Sequence, residues 1–259
     1  MLDASALRQI PANDPFLQVT HSMAIIHPGI LEVRAPALNF FVLRDERGLY
    51  IVDGGFIGGI RLLQKTLRLH GWQREPICGI IVTHGHLDHI LNVRYLAETH
   101  QAWIAAPKLD ADHYAGRPKY RGQSRVTGWL EAIGRVALAY RKFTPDHWLK
   151  DGDQLNIFSG MKVVHLPGHT AGHVGFWIEE ARLLLTCDLF VSYTGSARLP
   201  LDIFNADSDQ NLRSIGKALA LKPDGVLPNH GSHASPQEHL RRMTELYQRH
   251  RHRIEADHS

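Results

Sequence analysis

Apolar runs of strand length alternate along this chain with segments whose apolar residues recur at helical spacing. MAIIHPGILEVR (residues 23–34) and NFFVLRDERGLYIVDGG (residues 39–55) read as strands, the second folding back at DERG, which has turn chemistry. Ile60, Leu63 and Leu67 fall at i, i+3 and i+7, predicting a helix stopped at Gly71. ICGIIVT is a buried-strand run ending at Thr83, LNVRYLAETH predicts a helix, and AWIAAP a short strand. Strands return in MKVVHLP, in VGFWIE, where Val174, Phe176 and Ile178 alternate, and in ARLLLTC. Leu212, Ile215 and Leu219 predict a further helix ahead of the strand GVLP. SPQE opens a last helix at about 235–252, with Ser235, Pro236 and Glu238 at N-cap, N1 and N3, and Leu240, Met243 and Tyr247 as its buried face.

Residues 108–147 differ. They begin polar and basic, then become an amphipathic helix carrying Trp129, Leu130, Ile133, Val136 and Tyr140. A helical insert over a sheet is expected there, with Trp129 packed on the sheet and Tyr114 and Tyr120 available to shape a pocket. Strand-rich halves, each with helices, predict one layered α/β (α+β) domain over residues 1–259.

Composition changes little of this picture. At 259 residues, 44% hydrophobic and 21% charged, the chain is ordinary for a globular protein with a sizeable core. Two cysteines, Cys78 and Cys187, exclude a disulfide framework and fit a reducing cytoplasm. The first residues lack a signal-peptide pattern, and no run approaches the ~18 apolar residues of a membrane span. A formal charge of +3 does not argue for nucleic acid, and the basic RRMTELYQRHRHR reads as the solvated face and frayed end of the last helix. The 18 histidines stand out, many of them at strand ends.

In IIVTHGHLDHIL (residues 80–91), His84, His86, Asp88 and His89 follow an apolar strand directly. Imidazole and carboxylate are ligands of choice for zinc and related divalent metals. In an extended loop i and i+2 point the same way, so His84 and His86 could chelate one ion, while Asp88 and His89, beyond a bend, could face another. Packing alone rarely produces such a cluster, because four polar groups would need satisfying together. Three further candidates sit just past apolar runs: His169 in LPGHTAGH, Asp188 in LLLTCDLF and His230 in VLPNHG.

THGHLDH, PGHTAGH, TCD and PNHG, in this order, with Asp53 of VDGG and Asn39 ahead of it, resemble the metallo-β-lactamase-fold hydrolases over about residues 25–235. The resemblance implies a four-layer αββα sandwich, two mixed β-sheets flanked by helices, with the metal site at one edge. It places His84, His86 and His169 on a first metal, Asp88, His89 and His230 on a second, and Asp188 between them. Asp53 would orient ligands, and His173 would be structural, with His165 and His233 bystanders. The implied cofactors are two divalent ions, zinc first, with iron or manganese as alternatives. A metal-bridging hydroxide would attack an ester-like bond, Asp88 would carry a proton to the leaving atom, and Tyr193 would donate to the substrate carbonyl. Cys187 reads as a buried structural thiol rather than a nucleophile.

Within the family, the bridging Asp188 argues against β-lactam hydrolysis. Only 29 residues follow His230, short of the helical region that holds glutathione in glyoxalase II. The expected function is hydrolysis of a lactone, ester or thioester of a small molecule, in the lactonase or glyoxalase II-like branch. The alternatives are an iron-dependent oxidoreductase of the same fold, persulfide dioxygenase-like, or a phosphodiesterase or nuclease. The expected partner is a small-molecule substrate, with no nucleic acid and no membrane; a homodimer is left open.

Overall fold

The computed structural model describes residues 25–255, apart from residues 37, 121, 159 and 194. The beginning of the first strand run, residues 23 and 24, and the ends of the expected 1–259 domain therefore lie outside the described residues. β1 (Ile25–His27), β2 (Ile30–Val33), β3 (Phe40–Asp45) and β4 (Gly48–Val52) pair in sequence as antiparallel neighbours. The DERG turn closes β3 onto β4, with Asp45 paired to Gly48 and the Asp45 carboxylate accepting from Arg47 N at 2.9 Å. Helix α1 (Gly59–Leu69) then leads to β5 (Ile77–Ile81), and α2 (Leu87–Ile90) with α3 (Val93–His100) leads to β6 (Trp103–Pro107), each strand parallel to the one before. After α4 (Ala111–Tyr114) and α5 (Arg125–Ala137), β7 (His147–Leu149) completes a seven-stranded mixed sheet.

The second sheet has five strands in the order β14-β11-β10-β9-β8. They are β8 (Gln154–Leu155), β9 (Met161–His165), β10 (Val174–Ile178), β11 (Leu183–Cys187) and, after the β12 (Val191–Tyr193)/β13 (Ser196–Arg198) hairpin and α6 (Ser208–Ala220), β14 (Gly225–Pro228). Only the β11–β14 pairing in it is parallel. Helices α7 (Pro236–His250) and α8 (His252–Glu255) follow, and Ser235 Oγ caps α7 by accepting from Glu238 N at 3.1 Å.

Three apolar layers hold the sandwich. Phe41, Tyr50 and Ile81 of the first sheet meet Val163, Phe176 and Leu185 of the second between the sheets. Leu63 and Leu96 cover the first sheet's outer face, and Leu212 and Met243 cover the second's. The αββα arrangement implied by the motifs is the one observed. VGFWIE is buried at every position of β10, because Phe176 faces the other sheet while Trp177 lies under the outer helices. Among the described residues no helix is long and apolar enough to cross a membrane.

Helix α5 corrects the expectation of helix-on-sheet packing. Its polar residues Thr127, Glu131 and Arg135 are buried, while Trp129 is 65% and Val136 83% exposed. The polar face turns inward because it meets unpaired backbone groups. Glu131 accepts from Leu87 N at the start of α2 at 2.9 Å and pairs with Arg135 at 2.8 Å. Arg135 donates to His113 O at 3.1 Å, and Thr127 Oγ1 donates to Ile203 O. Tyr114, read as a pocket residue, is fully buried and stacked on Phe143. Tyr120 instead stacks on His86, with ring centroids 6.1 Å apart.

Candidate metal centre

Five strands end along one edge of the sandwich, and each is followed by a polar residue of the motif set. Asp53 follows β4, His84 follows β5, His169 the turn after β9, Asp188 follows β11, and His230 lies past β14. Carboxyl ends of strands are where open sheets present ligand-binding groups. Asp53 (φ 68°) and Cys187 (φ 53°) are both left-handed, so the chain bends out of β4 and β11 at these residues.

All seven candidate ligands converge. The His84, His86 and His169 rings lie 4.5–4.8 Å apart, centroid to centroid. Asp88 Oδ2 is 3.5 Å from His230 Nε2 and 3.9 Å from His89 Nε2. Asp188 Oδ2 stands between the two sets, 3.1 Å from His230, 3.2 Å from His89, 3.4 Å from His169 and 3.9 Å from His84. Among the described residues three overlapping groups have donor atoms within 4.8 Å of one another: His84–His86–His169, Asp88–His89–His230, and His84–His89–Asp188 across the middle. His84 Nε2, His169 Nε2 and Asp188 Oδ1 are buried and have no hydrogen-bond partner among the described residues. Buried polar atoms left unpaired are costly, and divalent cations at this spot would satisfy all three.

Burial, then the neighbouring imidazoles His89 and His169, push His84 well below the ordinary histidine range. His86 is lowered in the same way. Both are therefore neutral and ready to ligate. Burial also works against charged His89 and His230, but Asp188 outweighs it, joined by Asp53 and Asp88 at His89 and by Asp88 at His230, and both are held well above that range. The reciprocal effect keeps Asp188 well below the usual carboxylate range despite its burial.

Two carboxylates fix the ligands from behind. Asp53, fully buried, accepts from Thr83 N at 2.8 Å, Thr83 Oγ1 at 2.9 Å, His89 Nδ1 at 2.8 Å and Asn229 Nδ2 at 2.8 Å. It thereby commits His89 to present Nε2 to the cluster. Asn205 Oδ1, 2.9 Å from His169 Nδ1, does the same for His169. Asp110 was not legible in the sequence. It accepts from Gly85 N (2.9 Å), Thr170 Oγ1 (2.6 Å) and Gly172 N (2.8 Å), which clamps the first histidine loop to the second. Asp110→Ala is expected to weaken metal binding about 10- to 100-fold while the sandwich stays folded, as read by zinc competition titration and circular dichroism. Unchanged affinity would show that the loops hold without the clamp.

His173 makes its bond to Leu166 O at 2.9 Å within its own turn, and burial pushes it down to about 3. His165 bonds Ala171 O and His233 meets Arg34, both outside the cluster. Burial, with Asp53 and Asp188 nearby, raises the Cys187 thiol well above its ordinary value, so it stays protonated.

Tyr193 stands half-exposed on β12, at the mouth of a cavity of about 600 Å³ shared with His86, Asp88, His169, Asp188 and His230. Ser192 holds β12 in place: its N donates to His230 O at 2.9 Å and its Oγ accepts from Arg242 at 3.1 Å. His239 Nδ1 lies 2.8 Å from the same Oγ, and burial, then Arg242, pushes His239 down to about 4. A histidine kept neutral in the fold loses stability once the unfolded chain protonates first, from about pH 6.5 down to about 4, up to about 3 kcal/mol. In His239→Gln the acid-side slope of unfolding free energy over that window should fall by about one proton's worth; an unchanged slope would contradict this.

The chain belongs to the metallo-β-lactamase superfamily, whose sequence model matches residues 35–230. It is 27% identical over 208 residues to the probable metallo-hydrolase YybB of Bacillus subtilis, covering 80% of this chain and 86% of that protein. It is 28% identical over 201 residues to the hydroxyacylglutathione hydrolase GloC of Haemophilus influenzae, covering 74% and 84% of the two chains. The crystal structure of TTHA1623 in a di-iron-bound form superposes with a TM-score of 0.59 at 25% identity, covering 81% of this chain and 96% of that one.

Proposed function

We propose that the protein is a dinuclear metal-dependent hydrolase of an ester-like bond, a lactone, ester or thioester, in a small molecule. His84, His86 and His169 would hold one ion and Asp88, His89 and His230 a second, with Asp188 placed to serve both. The position of Asp188 Oδ2, within 3.1–3.9 Å of imidazole nitrogens from both sets, carries this reading. Divalent ions held there, zinc by donor chemistry or iron as in the TTHA1623 form, would supply an acidified water and an electrophile for the carbonyl.

The residues of the chain do the rest. Asp88 opens into the cavity with 31% of its side chain exposed, where it can pass a proton to the leaving atom. Tyr193 faces the same space and donates to the carbonyl oxygen as charge develops there. Asp53 and Asn205 keep the imidazoles aimed through the cycle. The names of YybB and GloC support hydrolysis. The test is a panel of lactones, aryl esters, glutathione thioesters, β-lactams and phosphodiesters on protein loaded with two zinc ions per chain. Turnover is expected among the first three classes. No turnover of any class would refute the hydrolase reading.

A further inference from the structure

Metal ligation explains the floor of the cavity but not its walls. Leu130 of α5, Leu201 and Phe204 line it, with Val191 and Leu199. Leu130, Leu201 and Phe204 are all substantially exposed, which is unusual for three large apolar side chains around one opening. The inverted docking of α5 produces this arrangement. Its polar face is bonded to Leu87 N, His113 O and Ile203 O, and Leu130, next to Glu131, lines the cavity that the candidate metal ligands also line. Lysine and arginine are scarce in the wall: Arg198 is the one such residue among the described lining residues. A glutathione moiety brings two carboxylates and several amide groups, and recognising them takes more cations and donors than this wall holds.

We propose that the substrate is an ester or thioester whose acyl part is an unbranched alkyl chain of medium length. The chain lies between Leu130 and Leu201–Phe204, and its carbonyl sits over Asp88 and Asp188. This rests on the hydrolytic reading of the same site. In the reaction water adds to the acyl carbon, the C–O or C–S bond breaks, and the alcohol or thiol leaves with a proton, freeing the fatty acid. Each methylene that enters the apolar wall is removed from water, which at full burial is worth about a fourfold gain in kcat/KM.

The test measures kcat/KM for p-nitrophenyl esters from acetyl to octanoyl with zinc-loaded protein, alongside calorimetric binding of butyrate and octanoate. The expected result is a rise of at least about twofold per methylene and tighter binding of octanoate. Leu130→Asp, and separately Phe204→Ser, should lower the octanoyl-to-acetyl ratio at least about tenfold and weaken octanoate in parallel. Thermal unfolding confirms that each variant is folded. A flat chain-length series, or glutathione thioesters preferred over octanoyl thioesters, overturns the alkyl site while leaving the hydrolase intact. Octanoate binding that responds to both variants, with no ester turned over, sinks the hydrolase and leaves the alkyl site standing. Adding phosphatidylcholine vesicles separates the sources of the chain: an unchanged octanoyl rate assigns a dissolved substrate, and turnover confined to vesicles assigns a lipid surface.

Discussion

Asp188→Ala is expected to reduce bound zinc from two ions per chain to one or fewer, and to lower ester-like hydrolysis by about 1,000-fold or more. Asp188 Oδ2 is the point where both histidine sets meet, with its four imidazole nitrogens at 3.1–3.9 Å. Alanine removes the shared ligand and the largest counter-charge for His89 and His230, which Asp188 holds well above the ordinary histidine range. Three buried imidazoles and the partly buried His230 then face one another, and Asp88 is the one carboxylate left in the ligand set. The metal-dependent part of stability goes with the ions, about 2.7 kcal/mol at a free metal concentration 100 times Kd. Elemental analysis, initial rates and thermal unfolding with and without zinc check the three effects. A variant that retains two ions and activity within tenfold of the parent would show that Asp188 does not bridge.

Asp53→Ala is expected to destabilise the metal-free fold by about 3–5 kcal/mol and to weaken metal binding about 10- to 100-fold. Four donors, from the ends of β5 and β14 and from helix α2, converge on this buried carboxylate: Thr83 N, Thr83 Oγ1, His89 Nδ1 and Asn229 Nδ2. Each buried donor left unpaired costs about 1–3 kcal/mol. Alanine also inherits φ 68°, a conformation about 1–2 kcal/mol unfavourable for a residue with a Cβ. Asp53→Gly separates the two effects, because glycine relieves the backbone but restores no acceptor. Its fold should be more stable than that of Asp53→Ala, with metal affinity just as weak. Denaturant unfolding of Asp53→Ala within 1 kcal/mol of the parent would contradict this account.

The ligand set was legible because each member sits where an apolar run stops, and the end of a buried strand is the place where the sheet hands its side chains to the edge. The order of THGHLDH, PGHTAGH, TCD and PNHG carried the sandwich with it. Asp110 had no such signal. It is one aspartate in a polar stretch, and its three donors come from residues 85, 170 and 172, brought near only by the closed fold. Helix α5 was legible as an amphipathic helix, but which face turns inward was not. That choice depends on orphan groups at Leu87, His113 and Ile203, far from the helix in sequence. The rule that apolar faces turn inward fails there because the polar face completes buried hydrogen bonds, leaving Leu130 on the cavity and Trp129, Ile133 and Val136 exposed. β7, β12 and β13 are three residues each, too short for a period to show.

The central claim is a pair of metal ions bridged by one carboxylate, and anomalous diffraction at the zinc edge from zinc-loaded crystals tests it most directly. The account predicts two peaks, one among His84, His86 and His169, one among Asp88, His89 and His230, with Asp188 touching both. A single peak, or two peaks without Asp188 between them, would contradict it.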